Sequence, residues 1–275
     1  SPSRLPAVLV ARLLSPVPRQ RRQSERNGWT FCYSEWGVRP MLPEVVIGHR
    51  ALDWKPLRQF KDRFYLASLT QRLEFDTEWS QRLEADKPML YLNMSTVFPG
   101  GVLASSGALS RWARTYKRYL DVVIAAVGTR PDWQLVAACG PFAEAFDTRN
   151  LPENVQVFDR VPQIEVLENA ALAITPAGAG TVRECAFLGV PILAFPMWYD
   201  QYGNAARIQH ARMGLNGGDF RKLDEDKLLL LIDRVLHDDE IKSAVSAFRE
   251  NQVVDRETEW QEFREFVEEH TGLCL

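Results

Sequence analysis

Ala173-Ile-Thr-Pro-Ala-Gly-Ala-Gly-Thr-Val-Arg-Glu-Cys185 is the stretch on which the fold turns. The apolar run Ala170-Ala-Leu-Ala-Ile-Thr175 reads as a buried strand that stops at Pro176. Small residues and two glycines follow, and a helix begins near Gly180. Small residues let an anion approach the backbone closely, and the first N–H groups of the helix point at it. Thr181 adds a hydroxyl there. Glu184, one turn on, shares its helix face. A carboxylate in that place accepts two hydroxyl hydrogen bonds, as a ribose diol offers. Taken alone, the segment fits equally well a tight strand-to-helix turn with an exposed glutamate.

Outward from this junction the same texture repeats. Met89–Asn93, Gln134–Cys139, Val155–Phe158 and Pro191–Phe195 are short apolar runs ended by Gly, Pro or polar residues, and each reads as a strand. Between them lie helical segments: Ser106–Val127, Pro162–Asn169, Gly180–Phe187 and Asn204–Met213. Leu223–Leu236 is amphipathic, with Asp224, Glu225 and Asp226 favouring its N-terminus. A last helix over 255–270 places Trp260, Phe263 and Val267 on one stripe. Alternating apolar strands and helices predict an α/β, Rossmann-like, doubly wound parallel sheet of about five to seven strands. In such a sheet ligands sit beyond the carboxyl ends of the strands.

Residues 1–87 differ. Seven prolines, from Pro2 to Pro56, interrupt any long period, and only Glu44–Gly48 and Arg63–Ala67 read as strands. The apolar run Leu5–Leu14 is short, broken by Arg12 and followed by basic residues, unlike a signal peptide. The missing initiator Met suggests a chain that begins inside a longer polypeptide. A net charge of -3 gives no nucleic-acid footprint. Cys32, Cys139, Cys185 and Cys274 form no C-x-x-C pair, which fits a reducing, cytoplasmic compartment, and Cys139 and Cys185 read as core thiols. His49, His210, His237 and His270 show no metal-ligand spacing, so no metal is expected.

Three more segments lie just after strands. Asp200 and Gln201, after Phe195, are suited to reading the hydroxyls of a hexose, or are a solvated turn that caps the next helix. Val161-Pro-Gln163 offers a backbone edge and an apolar face to a planar base, or is a plain helix start. Asn93-Met-Ser-Thr96 presents hydroxyls to phosphate or to solvent.

The order of these segments is more specific than any one of them. From about residue 87 to 251 the chain resembles the C-terminal, donor-binding domain of UDP-glycosyltransferase-like enzymes of the GT-B fold, the macrolide and natural-product type. The resemblance implies that Val161 and Gln163 hold the nucleobase and Glu184 the ribose. It implies that Thr96, Gly178, Gly180 and Thr181 contact the diphosphate, and that Asp200 and Gln201 bind the sugar. It divides the chain into 1–87, the incomplete end of an N-terminal acceptor lobe with its linker, 88–251, the donor domain, and 252–275, a crossover helix.

The chain departs from that family at named places. Pro176, Ala177 and Gly178 stand where His-Gly-Gly or His-Cys-Gly is usual, and Pro176 can neither donate a hydrogen bond nor carry charge. Gly180 stands for Asn, and Ser95 for Gly. The family's general base lies early in the N-terminal lobe, so no catalytic base is assigned. The implied reaction is transfer, with inversion, from a UDP- or dTDP-sugar to a small-molecule hydroxyl, without a cofactor. The alternative is a non-catalytic nucleotide-sugar-binding module, with the missing lobe or a partner chain supplying the rest. An epimerase of the same fold ranks third, since the acids and histidines it needs across the cleft are not in evidence.

Overall fold

A computed structural model describes residues 31–34, 37–40, 44–47, 63–66, 78–94, 108–198, 200–250 and 256–271. By contact the chain falls into two compact units, one of Ser1–Val46, Pro56–Tyr65 and Glu262–Leu275, the other of Ile47–Lys55 and Leu66–Gln261. In the N-terminal part, β1 (Phe31–Ser34) and β2 (Gly37–Pro40) pair antiparallel, with Ser34 opposite Gly37. β3 (Glu44–Ile47) and β4 (Arg63–Leu66) form a second two-stranded sheet. The β3 and β4 runs were legible in the sequence, whereas β1 and β2 were not.

The larger unit runs β5 (Met89–Asn93), α1 (Ala108–Gly128), β6 (Gln134–Ala138), β7 (Val155–Phe158), α2 (Gln163–Glu168), β8 (Ala170–Thr175) and α3 (Ala179–Leu188). It continues with β9 (Ile192–Ala194), α4 (Gln201–His210), β10 (Gly214–Asn216), α5 (Glu225–His237) and α6 (Asp239–Glu250). α7 (Arg256–Thr271) follows. The six strands β5–β10 make one sheet in the order β10-β9-β8-β5-β6-β7, and every pairing in it is parallel. This is the doubly wound arrangement expected from the sequence.

Strand alternation distributes the core. Leu90, Leu92, Leu135, Ala137, Leu172, Ile174 and Leu193 pack on one face with α1 and α5. Met89, Tyr91, Val136, Ala138, Ala173, Ile192 and Ala194 pack on the other with α2, α3, α4 and α6. α1 buries Tyr116, Tyr119, Leu120, Val123, Ile124 and Val127, a single helical stripe. α5 starts where Asp224 accepts from the Lys227 N–H at 2.8 Å. α3 ends at Gly189, whose φ of +71° is the left-handed C-terminal cap.

Several elements differ from the sequence expectation. α4 begins at Gln201 rather than near Asn204, because the helical conformation reaches back to Asp200, and it ends at His210, two residues before Arg212 with its φ of +55°. β10 went unread: it is three residues long and starts at a glycine, where a Cβ would sit 1.8 Å from the Ile192 carbonyl oxygen. α6 went unread as well, although Ile241 and Val245 mark its buried face. In α7, Trp260 is 42% exposed and Glu259 is buried, so the inward stripe excludes Trp260. Phe263 and Phe266 there approach Phe64 at 5.8 and 5.5 Å between ring centroids. Among the described residues no helix is long and apolar enough to cross a membrane.

Candidate functional site

The chain leaves β5 toward β6 on one side and returns through β8 on the other, so the crevice between β5 and β8 is the switch point of the sheet. Asn93 and Thr175 close the two strands there. Behind them Tyr91, buried in mid-strand, donates its hydroxyl to Gln163 Oε1 at 3.0 Å. Asn93 Nδ2 donates to the Tyr91 hydroxyl at 3.2 Å and also to Gln163 Oε1. The other end of the Gln163 amide faces α3: Nε2 donates to Glu184 Oε2 and lies 3.5 Å from Thr181 Oγ1. Gln163, Thr181 and Glu184, three residues singled out in the sequence, therefore meet.

Electrostatics follow from burial. Glu184 is half-buried, and loss of solvent raises its carboxyl above the usual range, while the Gln163 hydrogen bond and Arg183 pull it back. Burial likewise holds the Tyr91 phenol neutral. Cys139 and Cys185 are buried thiols, with burial pushing Cys139 up to about 12.

The turn between β8 and α3 is open on the side that matters. Gly178 caps the helix with no side-chain hydrogen bond, and the first intrahelical bond runs from Val182 N–H to Gly178 O at 3.0 Å. A Cβ at Gly178 or Gly180 would meet nothing within 4 Å. Among the described residues no side chain caps the first-turn N–H groups of α3. Pro176 and Ala177 are buried. Ala177 has a φ of +68°, the left-handed region that a side chain disfavours. Its N–H reaches Thr175 Oγ1 at 3.3 Å, and its carbonyl accepts from Asn204 Nδ2 at 3.0 Å.

The loop after β9 sorts its two polar residues differently. Asp200 is exposed, and its Oδ2 accepts from Asn204 Nδ2 at 2.9 Å. Gln201 is buried, and its Oε1 accepts from the N–H groups of Met197 and Trp198, both at 2.9 Å. Its carbonyl oxygen shapes the loop, which leaves only its amide nitrogen for a ligand. Val161 is 5% exposed and packs in the core beside α2. Thr96 lies outside the described residues, as does Ser95. Tyr91, Asn204 and Ala177 carry interactions that the sequence reading missed.

Residues 124–260 match the family described as erythromycin biosynthesis protein CIII-like, C-terminal domain. Oleandomycin glycosyltransferase of Streptomyces antibioticus is 40% identical over 86 residues, 31% of this chain and 20% of that protein. Demethyllactenocin mycarosyltransferase of Streptomyces fradiae is 29% identical over 197 residues, 69% of this chain and 38% of that protein. The glycotransferase of kitacinnamycin superposes with a TM-score of 0.62 at 20% identity, covering 88% of this chain and 61% of that one. The calicheamicin glycosyltransferase CalG4 gives 0.55 at 18% identity, covering 68% of this chain and 45% of that one. The chain thus has the fold of the C-terminal half of GT-B glycosyltransferases, and it spans well under half the length of these two curated relatives.

Proposed function

We propose that the crevice at the β5/β8 switch point binds the nucleotide diphosphate of a UDP- or dTDP-sugar, and that the chain is the donor half of a glycosyltransferase. One observation carries this reading: Gln163, Thr181 and Glu184 converge beside an uncapped helix N-terminus at the switch point. Glu184 accepts from the ribose hydroxyls, Gln163 and the Val161 backbone border the base, and the N–H groups of Gly180 and Thr181 with Gly178 receive the diphosphate. Thr96 completes the phosphate contacts, and Asp200 and Gln201 meet the sugar. The glycosyltransferase VinC, of like fold at a TM-score of 0.50 and 20% identity, was solved with dTDP, which supports a nucleotide in this place.

The chemistry assigned to these residues is electrostatic. As the sugar leaves, negative charge grows on the diphosphate, and pre-aimed N–H groups and the Thr181 hydroxyl stabilise it. Pro176 donates nothing, so the work falls on the first turn of α3, together with Thr96. An acceptor lobe, of which residues 1–87 are the end, presents a small-molecule hydroxyl from the opposite side, giving inversion. In this scheme residues 88–251 are the donor domain and 252–275 cross back to the acceptor lobe. Calorimetry with UDP and dTDP tests the reading: binding is expected, and Glu184→Ala weakens it by about 1–3 kcal/mol. No binding at millimolar nucleotide overturns it. Binding without transfer, in the presence of an acceptor lobe, favours the non-catalytic module instead.

A further inference from the structure

Asn204 lies in the first turn of α4 and is 7% exposed. An amide nitrogen carries two hydrogens. Here both are used, one on each of two loops: Nδ2 donates to Ala177 O at 3.0 Å and to Asp200 Oδ2 at 2.9 Å. The amide oxygen accepts from Arg207 Nη1 at 3.0 Å, which fixes which end of the amide faces the loops. One buried side chain therefore ties the turn after β8 to the loop after β9. Its two partners are unlike. Ala177 is held in a backbone conformation it disfavours, directly before Gly178 and the open end of α3. Asp200 is an exposed carboxylate that would otherwise sample several rotamers. With Oδ2 engaged, its Oδ1 has no hydrogen bond among the described residues.

We infer that Asn204 is a positioning residue for donor recognition, coupling the carboxylate that reads the sugar to the turn that receives the diphosphate, with Arg207 orienting its amide. The inference rests on the donor-site reading above. A charge-assisted hydrogen bond is among the stronger ones available to a side chain, so its loss releases Asp200. A purely structural asparagine would affect every ligand of the crevice alike. A positioning one affects the sugar-bearing ligand more than the bare nucleotide.

The test compares Kd for dTDP and for dTDP-glucose by calorimetry in the full 275-residue chain, in Asp200→Ala, in Asn204→Ala and in the double variant. The ratio of the two affinities isolates the sugar. Asp200→Ala is expected to lower this ratio about tenfold. Asn204→Ala is expected to lower it by a similar factor, and the double variant no further than either single, because both act through one carboxylate. Equal weakening of both ligands by Asn204→Ala, or a fully additive double variant, overturns the inference while leaving the donor site intact. An unchanged ratio in Asp200→Ala, or no binding by the parent chain, instead overturns the underlying donor reading. If Asn204→Ala fails to fold, Arg207→Met keeps the packed stem and removes the donor to Oδ1. It lowers the ratio by a smaller factor, and an unchanged ratio there overturns the inference.

Discussion

Gln163 on α2 and Glu184 on α3 are joined by a hydrogen bond from Nε2 to Oε2, so the carboxylate assigned to the ribose has a donor within the protein itself. A diol entering the site exchanges with, or adds to, an existing bond. Net affinity is then the difference between two hydrogen-bonded states rather than the full strength of the new contact.

The pH dependence follows from the same pair. Glu184 accepts hydroxyl hydrogen bonds as the anion, and its raised pKa means that binding is lost as pH falls through a value above that of an ordinary glutamate. Gln163→Ala removes a bond that favours the anion, so the midpoint moves further up. Glu184→Gln removes the midpoint. For folding the sign is opposite. The proton is held more tightly in the folded state, so the stability linked to it is fully present at low pH and is lost as pH rises through the raised pKa. Glu184→Gln should gain on the parent chain above that value and not below it, as read by urea unfolding at two pH values.

Tyr91→Phe removes the hydroxyl that donates to Gln163 and accepts from Asn93. Asn93 Nδ2 still reaches Gln163 Oε1, so the acceptor end of the amide keeps one of its two bonds. The expected loss is about 0.5–2 kcal/mol of stability by denaturant titration. Nucleotide binding should weaken alongside it, because the amide of Gln163 loses a constraint on its orientation.

Ala177 has a φ of +68°, and glycine there costs no steric strain. Relief of about 1–2 kcal/mol is offset by the extra freedom glycine brings to the unfolded chain, about 0.4–1 kcal/mol. Ala177→Gly should therefore be neutral to stabilising by roughly 1 kcal/mol. Ala177→Val should lose about 1–3 kcal/mol. Thermal unfolding of the pair decides it.

Gly217 faces Phe195, and a Cβ added there would lie 2.2 Å from Cε1 of that buried ring. Gly217→Ala should cost about 1–3 kcal/mol through overpacking. Phe195→Leu in the same chain should recover part of it, a coupling that a double-mutant cycle of unfolding free energies measures.

Much of this was legible in the sequence, for reasons that vary by residue. β5 to β9 stand out because each is an apolar run cut short by Gly, Pro or a polar residue, and that punctuation is local. β10 lacks it: three residues that begin with Gly214 and run into Gly217 carry no periodicity, and only pairing to β9 makes them a strand. Thr181, Glu184 and Gln163 could be named because they follow strand ends in a parallel sheet. Tyr91 could not, since inside Met89–Asn93 it reads as one more core residue. Asn204 reads as a helix start, because its acceptor at Ala177 is far away along the chain and near only once β8 and β9 lie side by side.

Tyr91 also bears on how the sheet finds its pairing. It points to the α2/α3 face while Leu90 and Leu92 point to the α1/α5 face. A slip of β5 by one residue would swap those faces and leave the phenol in a hydrocarbon layer with no acceptor, at a cost of about 1–3 kcal/mol. The crevice thus proofreads the strand beneath it: the register that satisfies the buried hydroxyl is the one that builds the binding site, and a misaligned sheet is selected against before any ligand arrives.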